Sequence, residues 1–162
     1  MLKPALPLLA CLIAGCGGSS KPTTQTVQGD GFGFRAPLAW RVSRGATEAA
    51  ASSGRIDRIE VLRFRLEESY RPALFPAAAR DLDGVIDRLA AQLHGRVVGR
   101  ATVELAGRKS RSYRLLYGAG RTQEIAFVLE GDSEYELLCR KRTSQPAASC
   151  QELFESFTLT GS

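Results

Sequence analysis

Short glycine-bearing turns restrict the second half of the chain to antiparallel strands. Four segments in this half are predicted to be strands, namely 96–105, 110–117, 121–130 and 134–141. The turns between them carry Gly107, then Gly118 to Gly120, then Gly131 with Asp132. A connection this short can join two neighbouring strands only if they run antiparallel. We therefore predict a four-stranded antiparallel meander.

The third of these strands must lie inside the fold. Its segment 125–129 is apolar throughout, and a strand with two apolar faces needs a covering layer on each side. Two segments can supply helices for these layers. In 81–94, the residues Leu82, Val85, Ile86, Leu89 and Leu93 recur at helical spacing, and a closing helix is predicted over 146–154, entered through Ser144 as a possible cap.

The first half of the folded part is less regular. Two short strands are predicted at 31–35 and 40–43, on either side of Pro37, and a longer strand at 58–66, where apolar residues alternate with arginines. The stretches 46–54 and 67–79 are predicted to be loops. The predicted order is β-β-β-α-β-β-β-β-α. We classify the fold as α+β, an antiparallel sheet with helices on both faces, in one domain over 31–162.

The N-terminus has the features of an export signal that ends in a lipid-modified cysteine. Residues 1–15 contain Lys3, an apolar run and small residues at the end. Ile13-Ala14-Gly15-Cys16 resembles the bacterial lipobox, in which the cysteine is acylated and becomes the new N-terminus. Residues 16–30 then form the lipidated cysteine and a flexible polar tether. This predicts a protein anchored by lipid to the cell membrane on its extracytoplasmic side.

Two alternatives remain at this end of the chain. Cys11 follows a rival lipobox, but cleavage there would leave an apolar segment of only about seven residues. Processing by the enzyme that removes ordinary signals would instead release a soluble protein.

Two cysteines remain after the signal and the lipid site are set aside. Cys139 shares a strand face with Tyr135 and Leu137, and Cys150 shares a helical stripe with Leu153. Both sulfurs are therefore expected to point into the core, where an exported protein can form a disulfide. A redox-active pair is the alternative, but such sites normally place their cysteines three positions apart. We predict a structural Cys139–Cys150 disulfide.

Several short motifs resemble those of a known fold family. They are FGF at 32–34, PLAW at 37–40, the LAG hairpin at 105–107 and CQELFESF at 150–157. The stretch 31–160 resembles small bacterial lipoproteins with the fold of PsbP, the extrinsic protein of photosystem II, a fold shared by a Ran-binding transport factor. The resemblance implies an α/β/α sandwich that serves as a binding or assembly module without catalysis. It transfers no metal-binding or partner-binding residue.

The residue inventory argues against most catalytic sites. His94 is the one histidine, no cysteine is expected to be free, and no nucleophile motif accompanies His94. We predict neither enzyme activity nor a metal or cofactor. Two alternatives stay open: a hydrolase that uses the carboxylates of Glu130, Asp132, Glu134 and Glu136, and a carrier of a small apolar ligand.

Two surfaces are candidates for partner binding. The formal net charge is +5, and Arg108, Arg111 and Arg114 lie on one hairpin, where they could bind an envelope protein, an anionic polymer or lipid headgroups. A merely solubilising surface explains these charges equally well. The loop 67–79 presents Tyr70, Leu74 and Phe75, which either bind a partner or complete the core. Nucleic acid is not expected as a partner of an exported protein.

Overall fold

The computed structural model describes residues 23–160, and the lipobox with Cys16 lies outside this range. The elements, in chain order, are β1 (Thr24–Gly29), β2 (Phe32–Pro37), β3 (Arg41–Arg44), β4 (Glu48–Ser53), β5 (Asp57–Tyr70), α1 (Phe75–Gln92), β6 (Arg96–Leu105), β7 (Arg108–Tyr117), β8 (Arg121–Arg142), α2 (Ala148–Ser156) and β9 (Thr158–Leu159). A short 3-10 helix, Pro72–Leu74, precedes α1.

The 22 residues of β8 form a hairpin rather than a straight strand. A straight strand of this length would span about 70 Å, yet the amide of Thr143 donates to the carbonyl of Gly120 at 2.8 Å. The chain reverses at Gly131, whose φ of 53° suits the first central position of a two-residue hairpin turn. The two arms, 121–130 and 133–142, correspond to the last two predicted strands.

The β8 hairpin lies inside a large antiparallel sheet with the order β3-β4-β5-β8-β7-β6. Its first arm pairs with β7, from Arg111 opposite Phe127 to Tyr117 opposite Arg121. Its second arm pairs with β5, where Arg58 lies opposite Arg140. The predicted antiparallel meander is confirmed.

Each face of the large sheet has its own apolar layer. Ile125 and Phe127 of β8 pack with Leu82 and Ile86 of α1 on one face. Ala126 and Val128 point to the opposite face, which is covered by α2 and by a small sheet of order β1-β2-β9. That second layer contains Phe32, Phe34, Leu153 and Phe157, all buried. The predicted α+β sandwich is confirmed, with the small sheet as an addition to it.

Besides the two-residue β9, two strands lie where the sequence predicts none. β1 occupies part of the expected tether, because Thr24 to Gly29 pair along the whole length of β2 and bury Val27 completely. β4 replaces the expected loop at 46–54, since it pairs with β3 on one side and β5 on the other. Both strands contain few large apolar side chains, so they are formed mainly through backbone hydrogen bonds to the adjacent strands.

Helix boundaries also differ from the predicted ones. Most of the expected loop 67–79 is regular structure, because β5 runs to Tyr70 and α1 begins at Phe75. Pro76 is compatible with this start, since the first turn of a helix has no internal partner for its amide groups. α2 begins after Ala147 without a side-chain cap, so Ser144 does not cap it.

The predicted disulfide is confirmed. Cys139 on β8 bonds to Cys150 on α2 with a Cα–Cα distance of 5.3 Å, and both residues are buried. Eleven positions separate them in the sequence. The bond fixes α2 to the second arm of the β8 hairpin.

Reduction of this disulfide should destabilise the fold. Opening a loop of this size is expected to lower the free energy of unfolding by about 3 kcal/mol on the chain-entropy model. Urea unfolding of the oxidised and reduced protein, followed by far-UV circular dichroism, measures the difference. Equal midpoints would show that the bond contributes nothing to stability.

Candidate functional site

An open apolar groove lies where α1 leaves part of the sheet uncovered. α1 packs against β6 and β7, so the same face of β5 and of the second β8 arm stays accessible beside it. The groove has a volume of about 420 Å³. Its apolar lining comes from both sides, namely Leu66, Tyr70, Leu74, Leu82, Val85 and Leu129. Leu74 and Val85, which both line the groove, are 49% and 42% exposed, so large apolar side chains on this face are accessible to solvent.

A local irregularity in β5 shapes one end of this groove. Arg65 pairs with Ser133 and Tyr70 pairs with Gly131, so four residues of β5 lie opposite the single residue Asp132. The extra residues make β5 bulge next to the β8 turn. Ser69 donates a hydrogen bond to Asp132 in this bulge. The bulge brings Leu66 and Tyr70 to the start of α1.

The charged residues that line the groove are all acidic. They are Glu68, Asp81 and Glu134, and no lysine or arginine lines it. Glu134 is half-buried, and its burial raises the pKa of its carboxyl group. It makes no ion pair with another residue of the described range 23–160. The groove is therefore an apolar surface with an acidic rim.

A second carboxylate, Glu136, lies two residues further along the same arm and so on the same face. Burial, together with the negative charges of Glu134 and Glu60, raises the pKa of Glu136 to about 7. Glu60 itself is bound by Arg58 through two contacts of 2.9 Å. Arg58 also donates to Glu48 at 2.7 Å, so its donors are directed away from Glu136.

The structure separates Glu130 and Asp132 from the other two predicted hydrolase carboxylates, Glu134 and Glu136. Arg108 binds Glu130 at 2.6 and 2.7 Å, which lowers the pKa of Glu130. Asp132 accepts the bond from Ser69. Of the four, only Glu134 lines the groove. A glycosidase needs two carboxyl groups on either side of one substrate bond, and the structure places only one of these four in the groove.

The three predicted arginines of the basic hairpin are each paired with a carboxylate. Arg108 binds Glu130, Arg114 lies 3.3 Å from Glu124, and Arg111 binds both oxygens of Asp83 at 3.0 Å. Because side chains alternate along a strand, Arg111 lies on the face next to α1, whereas Arg108 and Arg114 lie on the other. They do not form one continuous basic surface.

The predicted binding residues of the segment 67–79 separate in a similar way. Tyr70 and Leu74 line the groove together with Glu134. Phe75 is only 8% exposed, and the ammonium of Lys109 lies 4.8 Å from the centre of its ring. Val85 was expected in the core and instead lines the groove. Val85 belongs to the apolar stripe of α1 whether it lies in the core or in the groove, so the sequence alone does not distinguish these two positions.

No protein-family model matches the sequence, and no curated protein matches it significantly. Solved structures do resemble it. The solution structure of the cyanobacterial PsbP (CyanoP) of Synechocystis sp. PCC 6803 aligns with a TM-score of 0.59 at 13% identity, covering 91% of this chain and 99% of that one. A crystal structure from Bacteroides thetaiotaomicron VPI-5482 aligns with a TM-score of 0.58 at 10% identity and covers 81% of this chain.

These similarities confirm a PsbP-like fold. The chain spans 46% of the Bacteroides protein, so the likeness there concerns part of a longer molecule. Within residues 23–160, no helix combines the length and the hydrophobicity needed to cross a bilayer. In the same range, no group of three or more histidine, cysteine, aspartate or glutamate side chains is arranged to hold a metal ion.

The raised pKa of Glu136 predicts a pH-dependent stability. The folded protein holds its proton up to about pH 7, whereas the unfolded chain releases it near pH 4.3. Stability is therefore expected to fall as the pH rises through this interval, by about 1–2 kcal/mol after allowance for solvent screening. Glu136→Gln should remove that decline in urea unfolding measured from pH 4 to 8. The exposed Glu104→Gln is the control, and an unchanged slope in the Glu136 variant would contradict the assignment.

Proposed function

We propose that this protein is a non-catalytic binding module of the bacterial cell envelope, anchored by lipid on Cys16. Its groove binds a segment of a partner protein in which apolar side chains flank a lysine or arginine. The apolar residues of that segment occupy the floor formed by α1 and β5. Its cation pairs with Glu134.

One observation carries the proposal, namely the combination of exposed apolar side chains with uncompensated acid groups. Covering Leu74 and Val85 removes apolar surface from water, which contributes about 25 cal/mol per Å². A cation beside Glu134 supplies the charge partner that the described chain lacks, and a half-buried pair is screened less than one at the surface. Electrostatic complementarity of this kind selects the partner more than it adds affinity.

The arrangement of the groove favours binding over its two alternatives. The predicted hydrolase would use the carboxylates of the segment 130–136, and of these only Glu134 lines the groove, since Glu130 binds Arg108 and Asp132 accepts a bond from Ser69. A carrier of a small apolar ligand needs a cavity that encloses the ligand, whereas this groove is open along its length. The PsbP-like fold is consistent with a non-catalytic role, although a fold by itself does not assign one.

Site-specific photocrosslinking in the native host tests the groove. A photoreactive phenylalanine at Val85 should give a covalent adduct with one protein, and the same residue at Val98 should not. Val98 on β6 is a matched position, because it is also an exposed valine at 43%. Mass spectrometry should identify a crosslinked segment in which a basic residue lies beside apolar ones.

The charge reversal Glu134→Lys, combined with the Val85 probe, should reduce the adduct at least about tenfold, since it places a like charge against the partner's cation. Equal adducts from Val85 and Val98, or an adduct that Glu134→Lys leaves unchanged, would contradict the proposed groove function.

Lipid attachment at Cys16 has its own test. The native protein should partition into the detergent phase of a Triton X-114 extract, and its N-terminal peptide should carry the mass of the acyl chains, because two or more chains hold a protein stably on a membrane. Cys16→Ala should abolish both results, whereas Cys11→Ala should change neither. Loss of partitioning in the Cys11 variant alone would instead place the anchor at Cys11.

A further inference from the structure

A second concave surface lies at the opposite end of the β8 hairpin from the groove. It consists of three adjoining depressions of about 580, 420 and 580 Å³ that share Arg121. The turns that form it are β4–β5, β7–β8 and the end of β8, together with the C-terminal end of α1. We refer to it as the arginine cleft, defined by Arg55, Arg96, Arg121, Arg140 and Arg142.

The arginines of the cleft have no carboxylate bound to them. No aspartate or glutamate lines any of the three depressions. None of the five arginines forms an ion pair within residues 23–160. The segments outside that range, 1–22 and 161–162, contain no aspartate or glutamate either. This contrasts with Arg108, Arg111 and Arg114, each of which has its own carboxylate.

Arg140 provides an independent observation that an acceptor is missing. Its Nε is buried and has no hydrogen-bond partner. Arg140 lies opposite Arg58 on β5, and the carboxylate in its vicinity, Glu60, is bound twice by Arg58. A buried donor without an acceptor is uncommon in native proteins, so the Nε of Arg140 is a position where a further hydrogen-bond acceptor would be favourable.

We propose that the arginine cleft binds a ligand bearing a phosphoryl group. Guanidinium groups donate two parallel hydrogen bonds to phosphate oxygens, and several arginines can share one tetrahedral group. Ile56, Leu93 and Tyr117 form apolar walls beside Arg55, Arg121 and Arg140, which suits an organic group attached to the phosphate. The C-terminal end of α1 also lies here, and its partial negative charge disfavours an anion. That charge is only about half an elementary charge, whereas the three guanidinium groups each carry a full positive charge.

This site is separate from the groove of the proposed function. Eight residue steps along the first arm of β8 divide Arg121 of the cleft from Leu129 of the groove, a distance of about 26 Å. The two sites also differ in sign of charge. Loss of one activity therefore leaves the other measurable.

Isothermal titration calorimetry of the full-length protein in a non-ionic detergent tests the proposal with three probes. They are inorganic pyrophosphate, dihexanoyl phosphatidylglycerol and dihexanoyl phosphatidylcholine. Binding of pyrophosphate indicates a soluble phosphate ester as the ligand. Binding of the phosphatidylglycerol without pyrophosphate indicates a lipid headgroup. Either result supports the cleft, provided that the arginines are required for it.

The double variant Arg121→Gln/Arg140→Gln should weaken binding at least about tenfold, since it removes two charged donors. The corresponding double lysine variant keeps the charge but not the paired hydrogen-bond geometry. Its affinity should lie between that of the unmodified protein and that of the double glutamine variant. Arg80→Gln is the matched control for the single variant Arg121→Gln, because each removes one exposed charge and Arg80 lies on α1 outside the cleft. If the double variant does not fold, as judged by thermal unfolding, the exposed Arg121→Gln alone replaces it.

Two results would overturn the proposal. One is that the unmodified protein binds neither pyrophosphate nor the phosphatidylglycerol. The other is that the cleft variants and Arg80→Gln change the affinity by the same amount, which would assign the effect to net charge. Phosphatidylcholine, which is neutral overall, should bind weakly or not at all, and equal affinity for both lipids would also count against an anion site.

Discussion

The folded-back strand β8 determines the layers of the structure. Its first arm is apolar on both faces, so it is stable only when one layer covers Ile125 and Phe127 and another covers Ala126 and Val128. α1 supplies the first layer, and α2 with the small sheet supplies the second. The turn at Gly131 then pairs the second arm with β5, which attaches the β3-β4-β5 half of the sheet to the β6-β7 half. The groove exists because α1 covers only one of these halves.

The hairpin also separates the charges of the molecule. Its turn end carries the groove, whose charged lining residues are all acidic, and its open end carries the arginine cleft, which no aspartate or glutamate lines. Between them, the arginines of β7 are neutralised by Glu130, Asp83 and Glu124. The two ends of the hairpin therefore carry charges of opposite sign, which the modest net charge of the chain does not reveal. The electrostatic attraction of a ligand to either end depends on this local arrangement rather than on the net charge.

The features that the sequence predicts well are those with a local physical cause. The meander follows from glycine turns, and the disulfide follows from two cysteines on inward faces. β1 and β4 could not be predicted in this way, because Thr24 to Gly29 and the alanines of β4 acquire their structure from distant partners. The sequence identifies Tyr70 and Leu74 as binding candidates, but it does not place Arg121 beside Arg140. They meet only because the hairpin register places the two ends of β8 together.

The width of the groove depends on how α1 is held against β7. Asp83 of α1 accepts two bonds from Arg111 at 3.0 Å and one from the hydroxyl of Tyr113 at 2.7 Å. The bonds from Arg111 lower the pKa of Asp83, and burial beside this carboxylate raises the pKa of Tyr113, so the cluster keeps its charges and its proton at neutral pH. Apolar packing of Leu82 and Ile86 is non-directional, whereas three bonds to one carboxylate specify a rotation of the helix. That rotation turns Val85, two residues beyond Asp83, toward the uncovered half of the sheet, so Arg111 acts as a positioning residue for the groove.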